Sequence, residues 1–152
     1  MHQAKADLSL FQSGQALPWY KKDMPFFEFM GLTELTFLQV EEGLIEFKLP
    51  VSRNHLNVHR IVHGGVLATL ADIGCILAVR ANMPLERLSH LLFYTQNLRS
   101  DYLANIGKGD LIVCGQVISH LRTYSLVEAH IRDGNENLLV RAVGQVFRGE
   151  RK

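Results

Sequence analysis

Between Gly64 and Val79 the chain reads GGVLATLADIGCILAV, sixteen residues in which Asp72 is the one charged side chain. An apolar run of this length, entered through a pair of glycines, reads as a helix starting at His63-Gly64-Gly65. The backbone N–H groups of such a start, with the positive end of the helix dipole, can hold a developing oxyanion. Asp72 lies two turns further in and is costly to bury unless something compensates it. Two readings are open from the residues. Asp72 is either a structural carboxylate satisfied by neighbouring hydroxyls, or a group placed for chemistry; structural groups also carry perturbed pKa values.

The run from Val62 to Val79 approaches the length of a membrane span, but it carries Asp72 and three glycines, and strand-like segments follow it. A membrane span is therefore rejected, and the helix has to be covered by the chain itself. With 152 residues, 47% of them apolar and 20% charged, a single globular domain can supply that cover. The net charge of +1 makes no electrostatic case for nucleic acid or a membrane surface. Cys75 and Cys114 lie in apolar stretches, one helical and one extended, and read as reduced, buried thiols. The opening MHQAKADLSLF lacks a basic region followed by an apolar core, so a cytoplasmic location is expected.

Residues 1–30 read as a mostly helical lead-in belonging to the same domain, with turn signals at Pro18 and Pro25. Its aromatics Trp19, Tyr20, Phe26, Phe27 and Phe29 suggest a lid over a hydrophobic edge. Residues 31–152 form the rest. Leu32–Val40 and Leu44–Leu49 flank Glu41-Glu42-Gly43 and read as a hairpin. Pro50 to Val62 is a polar loop rich in His and Asn, and the helix then runs from about 64 to 81, closed by Asn82 and Pro84. After a loop to Ser89 the chain is extended: Leu91–Tyr102, Leu111–Ser119, Leu126–Ile131 and Leu138–Phe147, with turns at Gly107-Lys108-Gly109-Asp110 and Asp133-Gly134-Asn135. Alternation in LVEAHI and VRAVGQVF is the pattern of a half-covered antiparallel sheet. About six strands and one dominant helix make an α+β protein. One helix cannot cover both faces of such a sheet, but fills the concave face of one that curls around it.

The pattern Asn57-x5-His63-Gly64-Gly65-x5-Leu70-Ala71-Asp72, followed by Thr95-x2-Leu98-x3-Tyr102-Leu103, resembles the hotdog-fold acyl-CoA thioesterases, in particular the phenylacetyl-CoA thioesterase-like branch. The resemblance covers roughly residues 30–148. It implies a curled antiparallel sheet around a central helix, homodimers that are often paired into tetramers, hydrolysis of a CoA thioester, and no cofactor. Carried over residue by residue, it makes Asp72 the catalytic carboxylate and Gly64 the donor whose N–H polarises the thioester carbonyl. Asn57 matches the polar side chain near the nucleophilic water, and Thr95 the hydroxyl supporting the acid. His63 and Gly65, flanking Gly64, join Arg60 and Arg122 as the expected substrate-binding set. Two departures stand out. Arg60 replaces a usual glycine, so a turn with φ > 0 there is costly. Ala104-Asn105 replaces a Pro-Ala pair, which is expected to matter less.

Helix geometry adds an inference of its own. Gly64 and Asp72 are eight residues apart, which on one helix is about 12 Å of rise and about 80° of rotation. Both cannot serve one carbonyl, so if both act, the acid comes from a neighbouring subunit. His63 is expected to fix the helix start rather than to transfer protons. His55, His59 and His63 have helical i, i+4, i+8 spacing, but they lie in a loop without a Cys or acid nearby, and no metal is expected. Arg122 and Lys108, near strand ends, are candidates for coenzyme A phosphates, against the plainer reading of solvated charge. Two alternatives to hydrolysis remain: a hotdog dehydratase or hydratase, and a non-catalytic acyl-CoA-binding or regulatory protein.

Overall fold

In the computed structural model, which describes residues 24–150, the apolar run forms helix α2, Gly64–Ala81. His63 caps its start, and Asn82, followed by Met83 and Pro84, ends it. By length and apolarity α2 could cross a bilayer, yet 61% of it is buried inside the protein. The burial comes from one six-stranded sheet: β1 (Thr36–Glu41), β2 (Leu44–Pro50), β3 (Leu91–Tyr102), β4 (Asp110–His120), β5 (Tyr124–Asp133) and β6 (Leu138–Glu150). The order is β1-β2-β4-β5-β6-β3, every pair antiparallel. The sheet curls so that β2 to β6 all pack against α2. This is the hotdog architecture expected from the pattern.

Alternation sorts the two faces. On β5, Val127, Ala129 and Ile131 are buried while Leu126, Glu128, His130 and Arg132 lie on the other face, half-buried. Helix and sheet come closest where both residues are glycine. A β carbon on Gly115 of β4 would stand 2.2 Å from the Gly74 carbonyl oxygen of α2, so any side chain there would push the helix off the sheet.

The differences from expectation lie at the margins. β1 starts at Thr36 rather than Leu32 because Gly31, at φ 65, turns the chain and Leu32 enters the core from a loop. Within the lead-in, α1 (Pro25–Phe29) buries Phe27 and exposes Phe26 and Phe29; Trp19, Tyr20 and the segment before residue 24 lie outside the described residues. A short helix, α3 (Leu85–Leu88), interrupts the stretch expected to be loop. Cys114 is not buried as expected. It points to the outer face of β4 and is half-exposed, because the inward phase belongs to Leu111, Val113 and Gly115. Cys75 is buried, and burial, then the nearby Asp72 charge, pushes its thiol pKa up to about 12. It stays protonated at neutral pH and is no nucleophile.

Candidate active site

The N-terminus of α2 is prepared by the loop before it. His63 accepts the Gly65 N–H on Nδ1 at 2.9 Å, and its carbonyl accepts the Val66 and Leu67 N–H groups at 2.9 and 3.2 Å. The Gly64 N–H has no acceptor among the described residues, and a β carbon on Gly64 would meet nothing within 4 Å. The helix thus starts on open ground with one donor unused. His63 in turn hangs from the core: its N–H donates to the carbonyl of His55 at 2.8 Å. The His55 ring is buried, with Nδ1 accepting the Ser52 N–H at 3.0 Å, so that Nε2–H donates to the Gly31 carbonyl at 2.9 Å. His59 is exposed. The three histidines therefore hold three different positions, and no cluster of three or more His, Cys, Asp or Glu able to hold a metal occurs among the described residues.

Asn57 builds the turn between them. Its Oδ1 accepts the N–H of His59 at 2.9 Å and of Ile61 at 3.4 Å, while its own N–H donates to the Ile61 carbonyl at 2.9 Å. That occupies the acceptor end of the side chain and leaves the Nδ2 donors for other work. Arg60 adopts φ 60, so the arginine does take the turn a glycine would make, at the steric cost of a β carbon in the left-handed region.

The departure at Ala104-Asn105, expected to matter less, supplies a residue that holds this loop in place. Asn105 donates from Nδ2 to the Val62 carbonyl at 2.8 Å and accepts the Ile106 N–H on Oδ1, while the Val62 N–H donates to Ile106 at 2.9 Å. The departure at Ala104-Asn105 is therefore a tether one residue from the helix cap. Its signal, an Asn just past a strand end, is common to many turns.

Asp72 sits halfway along α2 on the stripe the sheet leaves partly open, with Ala68, Thr69, Ile76 and Arg80. Thr95 Oγ1 donates a hydrogen bond to Asp72 Oδ1. The Asp72 side chain is half-buried rather than sealed. A bulge at Gln96 follows: the register slips between Thr95 and Asn97, so the inward side passes from Phe93 and Thr95 to Leu98 and Ser100. β3 is the last strand of the sheet, bonded to β6 on one side only among the described residues.

Within one chain, then, His63, Gly64, Gly65, Asn57 and Arg60 gather at the start of α2, and Asp72 and Thr95 meet at its middle. Arg122 is not brought to either group. It lies in the β4–β5 turn, whose neighbour His120 contacts Asn82 at the opposite end of α2.

With this geometry the chain can be set beside known proteins. Residues 59–140 match the family model of the thioesterase superfamily. A Saccharolobus solfataricus protein bearing an esterase name is 24% identical over 129 residues, covering 84% of this chain and 86% of that one. A thioesterase of Haemophilus influenzae superposes with a TM-score of 0.73 at 16% identity, over 84% of this chain and 85% of that one. A Streptococcus pneumoniae hypothetical thioesterase, solved with coenzyme A, gives 0.69 at 21%, over 78% and 92%.

Proposed function

From the premise that this chain belongs to the thioesterase superfamily, we propose that it hydrolyses acyl-CoA thioesters at sites shared between two subunits. The thioester oxygen sits on the Gly64 N–H of one subunit. Asp72 of the partner subunit takes a proton from water as the water oxygen attacks the carbonyl carbon, or attacks that carbon itself to give a mixed anhydride that water then opens. The tetrahedral oxyanion stays on the helix N-terminus until it collapses and expels the coenzyme A thiolate, a leaving group that needs no strong acid. Thr95 orients the carboxylate, and Asn57 donates from Nδ2 to the water or the carbonyl.

The observation that carries this reading is the Thr95–Asp72 bond: the one carboxylate of helix α2, on its partly open stripe, oriented by a hydroxyl from the sheet. Sharing of the site is supported by the eight-residue separation of Gly64 and Asp72 and by the one-sided pairing of β3, an edge suited to a second copy. The test is a panel of acyl-CoA thioesters read by thiol release. Asp72→Ala is expected to lower turnover by about two to three orders of magnitude with the fold retained; near-native turnover removes Asp72 from the chemistry. Subunit exchange between Asp72→Ala and Asn57→Ala chains is expected to restore part of the activity, because a mixed dimer has one complete site. A heterodimer that forms and stays inactive overturns the sharing.

A further inference from the structure

The turn at 57–61 has a twin between β5 and β6. There the Asp133 N–H donates to the Asn137 carbonyl at 3.0 Å, and Asp133 Oδ1 accepts the N–H groups of Asn135 and Asn137 at 2.8 and 2.9 Å. In both turns the fourth residue donates its N–H to the carbonyl of the first, Arg60 to Asn57 and Glu136 to Asp133, each at 3.0 Å. In both, that fourth residue is left-handed without being glycine, at φ 60 for Arg60 and 66 for Glu136. The side chains then part. Glu136 accepts from Arg132 Nη1 at 2.7 Å, a partner within its own chain. The Arg60 guanidinium has no ion pair or hydrogen bond with any described residue.

No acid stands within the two segments that form its loop and the strand end packed on it. Residues 51–71 contain Arg53 and Arg60 and no Asp or Glu; residues 102–109 contain Lys108 and no Asp or Glu. The two segments are packed together. Beyond the Asn105 tether, Gly107 lies so close that a β carbon there would stand 2.3 Å from the Arg60 carbonyl oxygen, and Lys108 follows directly. None of Arg53, Arg60 and Lys108 forms an ion pair among the described residues. On the sheet, by contrast, Lys48, Arg99, Arg132 and Arg141 each have a carboxylate within 4 Å. Arg53, Arg60 and Lys108, flanked in sequence by Asp72, Asp101 and the Lys48-bound Asp110, therefore stand without an ion pair among the described residues beside the loop that sets the candidate oxyanion donor.

We propose that Arg60, with Lys108 beside it, binds phosphate groups of the substrate's carrier. This deepens the reading above and rests on it: the acyl end of the thioester is held by the α2 start, and the phosphorylated end is met by these side chains. A guanidinium offers a phosphate paired N–H donors, and an ammonium adds a point charge. Because the phosphates take no part in the bond changes, the contact is felt equally in ground and transition states and acts on KM rather than kcat; because both side chains are exposed, salt screens it.

The test compares one acyl group on coenzyme A and on pantetheine, which has no phosphate, in the wild type, Arg60→Gly and Lys108→Ala. Glycine is used at 60 because it keeps the left-handed turn. At low salt Arg60→Gly is expected to raise KM for the CoA thioester about three- to tenfold, with kcat within about twofold and no change on the pantetheine thioester. Lys108→Ala is expected to do the same to a smaller degree, and added salt to bring the wild type to the variant. Equal KM changes on both substrates, no change on either, or loss of the dimer on size exclusion overturns the proposal; the last would make Arg60 a contact between copies. If neither thioester turns over, the hydrolase reading falls, and calorimetry with free coenzyme A decides the contact: binding weakened by Arg60→Gly and by salt supports it, binding unchanged by either overturns it.

Discussion

Two turns of this protein are closed by the same hydrogen bonds on different first residues, asparagine at 57 and aspartate at 133. At 133 the whole carboxylate is occupied. Oδ1 takes two backbone N–H groups and Oδ2 accepts Asn137 Nδ2 at 2.9 Å. The Asn137 side-chain amide, then the backbone N–H groups of Asn137 and Asn135, hold the Asp133 carboxyl below its ordinary value of 3.8. At 57 the Oδ1 is occupied in the same way, and an amide nitrogen is left over beside the open start of α2. Either side chain closes the turn. Only the amide brings a spare donor, so the turn alone does not account for asparagine at 57, and the proposed chemistry does.

The sharpest way to break that comparison is Asn57→Asp. The turn should close as it does at 133, with stability within about 1 kcal/mol of wild type. Turnover of the best acyl-CoA substrate should fall about a hundredfold or more, because an acceptor with a negative charge stands where a donor is required. Parallel measurements of kcat and Tm check both halves. Retained turnover would make Asn57 a turn former and nothing else.

The turns also differ in what supports them. A β carbon on Gly107 would strike the Arg60 carbonyl oxygen, whereas one on Gly134 would meet nothing within 4 Å. Gly107→Ala should therefore cost about 1–3 kcal/mol by overpacking and lower turnover as the loop before His63 shifts. Gly134→Ala should be nearly neutral in urea unfolding. Equal behaviour of the two would mean that the 57–61 turn does not lean on the segment after β3.

Much of this arrangement is legible in the residues, and the rest is hidden for identifiable reasons. The α2 bounds follow from an apolar run punctuated by Gly64-Gly65 and by Asn82 and Pro84, and the six strands follow from extended segments between turn signals, with clear alternation in β5 and β6. The Asp72–Thr95 pairing does not follow from local pattern. It depends on β3 lying at the sheet edge with its inward phase ending at Thr95, and the bulge at Gln96 breaks the alternation that would reveal it. The resemblance to a known family supplied that pair instead. The turn at Asp133-Gly134-Asn135 is signalled by its residues, but its likeness to the turn at 57 is not, because the left-handed residues are Arg60 and Glu136 rather than glycine. Asn105 shows in the sequence as a departure, but its tether does not, because its partner, Val62, is 43 positions away and is met only in the folded chain.

Exchange at the other turn should be read in stability alone. Asp133→Asn keeps an acceptor for the two backbone N–H groups and loses the charge-assisted bond from Asn137. A carboxyl whose folded pKa is depressed contributes stability above its unfolded value and loses it as pH falls through the folded value. The wild type should therefore be the more stable at pH 7, and the difference should close below the ordinary value of 3.8. Tm followed from pH 7 to 2 for both proteins checks the sign. A gap that stays constant with pH would mean that the Asp133 charge contributes nothing to its turn.

The smallest effect separates the two left-handed residues. Arg60→Gly relieves a β carbon at φ 60 and removes no interaction within the described chain. Relief of a left-handed side chain is partly offset by the extra freedom glycine gives the unfolded state, so the expected gain is about 0.5–1 kcal/mol. Glu136→Gly relieves the same strain but breaks the pair with Arg132. A largely exposed ion pair contributes about 0.2–1 kcal/mol, so that variant should gain less or nothing. The order of the two Tm values is the test. A larger gain at 136 than at 60 would mean that the Arg60 side chain already stabilises the isolated protein, and its guanidinium would not be waiting for an anion from outside the chain.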